Sequence, residues 1–322
     1  MTRLPTVEFV DAGIPRIPLG AWIDTGFDWV KANFRDFFRA IADVIETSVE
    51  TLADALTAPP ALVVVVILAL LAWLVKDWKL GIGSLIGLAA VVGMDQWDNA
   101  MLTLSLVLIA TLIALVIGIP LGIAAARWRR VSALVRPVMD LMQTMPGFVW
   151  LVPVVTLFGI AVPAGMVATI IFALPPAVRL TELGIRQVDA EVVEAGHAFG
   201  GTPRQILRGI QLPLAMPTVM AGVNQVIMLA LSMAVIAGLV GAPGLGAEVI
   251  SAISTLNIGL GFEAGLSVVA LAIYLDRLTA SVGGGSLARL RRRRPIRADA
   301  AQQTEADLEE DPAGRPSAGV HT

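Results

Sequence analysis

Between residues 60 and 75 the sequence reads PALVVVVILALLAWLV, an uncharged apolar run. A helix needs roughly 20 apolar residues to cross the ~30 Å hydrocarbon core of a bilayer, and fewer where flanking residues snorkel. Comparable runs recur at 80–94, 100–126, about 138–160, 163–180, 217–240 and 258–275. With 56% hydrophobic and only 15% charged residues, the chain is too apolar for an ordinary soluble domain. The expectation is an all-α polytopic membrane protein of about seven transmembrane helices, with the glycine-rich second span the weakest of the set. There is no cysteine to form disulfides or thiolate metal sites, and the two histidines, His197 and His321, do not make a metal centre. Nothing calls for a nucleic-acid partner.

Lysine and arginine set the expected orientation. They occupy the connections at 76–79 (KDWK), 127–137 and 181–216 and the RLRRRR tail after residue 276, whereas 95–99, 161–162 and 241–257 contain none. The positive-inside rule then puts the first set in the cytoplasm, the N-terminus outside and the C-terminus inside. The first 59 residues lack a short apolar run with a cleavage site, so no signal peptide is expected. Within this extracytoplasmic segment, Val30, Phe34, Phe37, Ile41, Val44, Leu52 and Leu56 recur at helical spacing across 27–56, with Asp28, Asp36, Asp43, Glu46 and Glu50 on other faces. An amphipathic helix on the outer membrane surface and one packed on the protein's own spans fit equally well. Residues 60–94 are read as two peripheral helices, 95–285 as the core and 286–322 as a basic, then acidic tail. The acidic part, rich in Ala, Gln and Pro, is expected to be disordered.

The longest cytoplasmic connection, 181–216, contains EAGHAFGGTPRQILRGIQLP. Val192, Ala195 and Phe199 share one side of a short helix, which Gly200-Gly201 ends. Thr202 and Pro203 have the chemistry of an N-cap and a first helical residue. Ile206, Leu207 and Ile210 then form an apolar ridge, and Leu212-Pro213 closes the element. Two short helices around a fixed elbow predict a rigid knob suited to a cytoplasmic partner.

Glu194-Ala195-Gly196, three residues, Gly200, nine residues, then Ile210-Gln211-Leu212-Pro213 resembles the EAA signature of the membrane subunits of bacterial ABC importers, with Gly196 replacing the second alanine. Across 60–285, blocks such as LMQTMPGFVWLVPVVTLFGI and QLPLAMPTVMAGVNQVIMLALSMAVIAGLVGAPGLG are similar to permease subunits of glycine betaine/proline importers, the osmoprotectant branch. The resemblance implies a type I importer fold with a five-helix core, located in the bacterial inner membrane. It implies two permease subunits, a cytoplasmic ATPase pair and an extracytoplasmic binding protein. Glu194, Ala195, Gly196, Phe199, Gly200, Ile206, Ile210, Leu212 and Pro213 would couple to the ATPase, the ridge seating in its groove.

No lysine stands in a phosphate-binding loop, since Lys31, Lys76 and Lys79 lack that context. ATP and Mg2+ are therefore expected on the partner, with no cofactor bound by this chain. An ion-coupled carrier is the rival transport reading, and a non-transporting anchor for a cytoplasmic protein a further one. Against the carrier, Asp140, Glu182, Asp276 and Glu263 fall near span ends rather than at mid-membrane. For a quaternary amine, whose diffuse charge aromatic faces attract, Phe148 and Trp150 with Met142, Gln143 and Met145 are candidate pathway residues. Asn224, Gln225, Met228 and Ser232 are a second set. Helix packing and interhelical hydrogen bonding account for the same residues. The breaks at Pro146-Gly147, Pro153 and Pro175-Pro176 either shape the pathway or are kinks. Gly83 with Gly87 and Gly118 with Gly122 have the spacing for close helix approach, within the chain or between copies.

Overall fold

A computed structural model describes the backbone of residues 18–292 and the side chains of residues 18–281. The expected disorder of the acidic tail concerns residues beyond 292 and lies outside this range. Within it, every regular element is a helix.

Helix α1 (Leu19–Thr57) begins earlier than its apolar periodicity suggests and kinks at Phe34 (φ −121°, ψ 18°). Its second half packs on the chain's own spans, burying Ile45, Val49 and Ala53, while Phe38 meets Phe158 edge-to-face at 5.2 Å. Its first half, before the kink, leaves Trp22, Ile23 and Trp29 exposed. The two placements allowed by the sequence thus divide at the kink: the packed one describes only the second half. Pro59 and Pro60 cannot continue the helical hydrogen-bond ladder, and the chain turns by 100° into α2 (Ala61–Val75). Asp77 caps α3 (Trp78–Gly93), its carboxylate accepting from the Leu80 N–H at 2.8 Å.

The core is α4 (Trp97–Arg127), α7 (Val162–Arg186) and α10 (Leu212–Ala237), joined by glycines. A Cβ on Gly118 would lie 2.5 Å from the Ala177 Cβ, and one on Gly122 would lie 2.6 Å from the Val178 carbonyl oxygen. Gly184 approaches Ala215 and Thr218, and Gly222 approaches Pro176 and Leu180. The Gly118/Gly122 pair therefore serves packing inside the chain, where small residues let backbones approach. Gly83 and Gly87 differ, because nothing lies within 4 Å of where their Cβ atoms would be. Pro175 and Pro176 are buried in an unbroken α7.

Three features depart from seven straight spans. Among the described residues four helices are long and apolar enough to cross a membrane, or up to six spans by length and composition if each bent pair counts as one. The expected fourth span is broken: α5 (Arg129–Thr144) ends before Pro146, a 3-10 turn covers Gly147–Trp150, and α6 (Leu151–Phe158) leaves at 107°. Met145 is extended (ψ 133°), as a residue before proline prefers. After α8 (Ala190–Ala198) and α9 (Pro203–Ile206), Leu212-Pro213 does not close an element. A π-turn at Leu207–Gln211, in which the Leu212 N–H donates to the Leu207 carbonyl, carries the helix on, giving 38 helical residues from Pro203 to Val240.

The stretch 241–257, read as a loop, holds α11 (Leu245–Thr255), folded back against the bundle. Gly241 (φ +78°) and Gly244 (φ +115°) make the reversal, and the Leu245 N–H donates to Thr103 Oγ1 at 2.9 Å. Finally, α12 (Ile258–Arg292) packs on α10, α11 and α3, so residues 286–292 continue a helix.

Candidate coupling and translocation sites

The knob is built locally. Asp189 caps α8 through the Glu191 N–H. At its other end the Gly201 N–H donates to the Gly196 carbonyl at 3.1 Å and the Gly200 N–H to that of His197 at 2.9 Å. These paired bonds, with Gly200 at φ +80°, form a Schellman termination. Thr202 and Gln205 close a reciprocal capping box on α9, with Pro203 at the first position. Elbow, cap and proline stand where the sequence puts them.

The direction of the ridge is different. Ile206 and Leu207 are buried within the chain, Leu207 with Ile185, Ala215 and Val219, flanked by Ile119, Ile123 and Leu212. Half-buried Ile210 reaches over Gly196, where a Cβ would lie 2.7 Å from its Cδ1. Within the chain the ridge is thus divided: Leu207 packs on the ends of α4, α7 and α10, and Ile206 and Ile210 lie against Gly196 and Gly201 of the knob itself. What α8 presents outward is Phe199, 93% exposed, with Val192, Glu194 and Ala195. Pro213 is exposed and Leu212 half-buried at the base of α10. The ridge thus ties an exposed head to the spans.

Beside this base lies an ionic cluster that the sequence did not announce. Buried Glu182 accepts from Ser132 Oγ at 2.8 Å and from Arg136 and Arg186 at 3.0 Å each. Arg186 also donates to the Ala125 carbonyl, and Arg179 pairs with Asp140. A buried carboxylate demands such partners. The i, i+4 spacing of Glu182 and Arg186 was the only local signal, since Ser132 and Arg136 come from α5.

On α10, Ala221, Gln225, Met228 and Ser232 are exposed at successive helical turns, while the opposite side is packed. An exposed glutamine within a span is costly against hydrocarbon and points to a protein or water neighbour. Asn224 lies off this stripe: its amide donates to Asp276 Oδ1 at 2.9 Å and accepts from Thr279 Oγ1 at 2.8 Å, which is interhelical bonding. Among the described residues Ser232 Oγ donates only to the Met228 carbonyl of its own helix. At the α5–α6 break, Phe148 is exposed, Met142, Gln143 and Met145 are half-buried, and Gly147 sits against Met233 and Phe172. The Trp150 Nε1–H is buried with no acceptor among the described residues. The broken span and α10 therefore meet at Gly147 and Met233, next in sequence to Phe148 of the first candidate set and Ser232 of the second.

An α-helical bundle closed by glycine contacts, with a broken span, a folded-back helix and a protruding capped knob at one end, defines a type I importer permease fold. A permease chain of the MetNI methionine ABC transporter, solved facing inward, superposes with TM-score 0.51 over 57% of this chain and 92% of its own, at 23% identity. Residues 118–283 match the family described as binding-protein-dependent transport system inner membrane component, and the chain belongs to it. The glycine betaine/proline betaine transport system permease protein ProW of Escherichia coli is 48% identical, covering 91% of this chain and 84% of that protein. The glycine betaine permease OpuAB of Bacillus subtilis is 46% identical, covering 84% and 95%. The chain is thus a membrane permease subunit of an ABC importer, a transport component rather than an enzyme.

Proposed function

We propose that this permease carries glycine betaine or a related quaternary-amine compatible solute across the bacterial cytoplasmic membrane, along a pathway between two identical copies. The exposed stripe with Gln225, Met228 and Ser232 supports this reading most directly, because a second subunit or a hydrated path removes polar groups from lipid. The relatives' substrates suggest the solute class. Phe148 and Trp150 offer aromatic faces for a diffuse cation, with Met142, Gln143 and Met145 beside them. Asn224 holds α12 in place rather than touching solute.

The N-terminus faces outward and the C-terminus inward. Arg129, Arg186, Arg204 and Arg277 all belong to the end that carries the knob, in keeping with the positive-inside rule. An extracytoplasmic binding protein delivers solute at the opposite end, beside α11. At the knob, Phe199, Glu194 and Ala195 meet a separate ATPase that holds Mg-ATP, and Gly196, Gly200, Ile206, Ile210, Leu212 and Pro213 support that head. This chain binds no cofactor. Closure of the ATPase pair draws the two heads together, and the buried ridge transfers the movement to α4 and α7, because packed interiors resist compression.

Proteoliposomes provide the test. Glycine betaine uptake should require ATP, the ATPase, the binding protein and this chain together, and the purified chain alone should hydrolyse no ATP. Uptake driven by a sodium or proton gradient without the ATPase would replace this reading by an ion-coupled carrier.

A further inference from the structure

Where α2 turns into α3, a cavity of about 380 Å3 opens between that turn and α12. Three cations line its mouth: Lys76, Lys79 and Arg277. Asp77 also lines it but caps α3, and Asp276, 3.8 Å from the Arg277 guanidinium, is engaged by the Asn224 amide. Positive charge at the mouth therefore exceeds what the nearby carboxylates balance. Deeper in, the wall is apolar and smooth, formed by Gly83, Gly87, Leu88, Ala270 and Ile273, with open space above both glycines.

Two further observations bear on the occupant. Ser84 lines this cavity, is 6% exposed, and its hydroxyl has no partner among the described residues. A buried hydroxyl without a partner costs free energy unless something else supplies one. Trp73 and Trp78 flank the same turn and are 57% and 58% exposed, and tryptophans at such positions mark the headgroup level of a bilayer. The cations thus stand at headgroup depth and the smooth wall at acyl-chain depth.

We propose that this cavity is a site for an anionic phospholipid. Its phosphate meets Lys76, Lys79 and Arg277, its glycerol or ester oxygens meet Ser84, and one acyl chain lies along Gly83 and Gly87. A soluble phosphate would use the cations but leave the apolar wall wet, so the lipid is the better fit. Bound there, it fastens the α2–α3 pair to α12. The inference stands on this cavity alone and does not depend on which solute is carried.

The test uses the full chain in mixed micelles of phosphatidylglycerol and phosphatidylcholine, read by native mass spectrometry. Wild type should retain phosphatidylglycerol in preference to phosphatidylcholine. The triple variant Lys76→Gln, Lys79→Gln, Arg277→Gln should retain about tenfold less, whereas Arg129→Gln with Arg130→Gln should leave retention unchanged. Ser84→Ala, which keeps every charge and removes one oxygen, should lower retention a few-fold and keeps the proposal testable if the triple variant does not fold. Undiminished retention in both the triple and Ser84→Ala variants, or equal retention of the two lipids, overturns the site. Displacement of phosphatidylglycerol by millimolar inorganic phosphate would assign it to a soluble anion and overturn the lipid proposal.

Discussion

Gly200 has left-handed backbone and open space around its missing Cβ. Gly200→Val therefore penalises conformation rather than contact, by about 1–2 kcal/mol. The expected outcome is an inserted, folded permease that captures less ATPase and takes up less solute, measured by co-purification and proteoliposome uptake. Wild-type uptake would show that the elbow is dispensable. Phe199→Ala makes the complementary test: a side chain this exposed should leave thermal stability within about 0.5 kcal/mol, yet ATPase capture should fall at least tenfold. Elbow and cap were legible in the sequence because their bonds close within six residues, Gly196 to Gly201 and Thr202 to Gln205. The ridge was not, since apolar spacing at Ile206 and Leu207 says that a face is covered without saying by what. Glu182 was opaque for a related reason: two of its three partners arrive from α5.

At the scale of elements, α11 depends on a glycine contact. A Cβ on Gly246 would lie 2.6 Å from the Val235 carbonyl oxygen, and one on Gly238 would lie 2.4 Å from the Gly246 carbonyl carbon. Gly246→Ala should accordingly cost about 1–3 kcal/mol by overpacking, seen as a lowered melting temperature in detergent. Gly265→Ala, in α12 with nothing within 4 Å, should be neutral or stabilising by up to about 1 kcal/mol. Equal effects at the two positions would refute the contact as the cause. The sequence displayed these glycines in GLVGAPGLG but not the return of the chain, because 11 residues of moderate hydropathy after two turns read as a loop. The Pro146 break was visible as chemistry, while the course of α6 beyond its 107° bend, against α1 and α7, brings together segments distant in sequence.

For the whole molecule, the division of basic residues between the two ends predicts topology. Arg130→Cys and Gln205→Cys should label from the cytoplasm and Asp98→Cys from outside, using an impermeant reagent in a chain that otherwise has no cysteine. Asp98 serves better than its neighbour Trp97, which is 7% exposed. Outside labelling at 205 would invert the assignment and remove the head from the ATPase. In the same background, Gln225→Cys should cross-link two copies within the bilayer, and its failure to do so would place the solute path elsewhere. The π-turn at Leu207–Gln211 joins these two regions through continuous helix. Each residue advances a helix by about 100°, and a π-turn accommodates one residue more than an α-turn. It takes up one surplus residue within a single turn, as a slack link does in a drive chain. Deleting one residue there should restore regular helix and leave Arg204 and Gln225 facing nearly as before, whereas deleting one from the regular helix between Pro213 and Gln225 should turn them about 100° apart and point the head away from its partner.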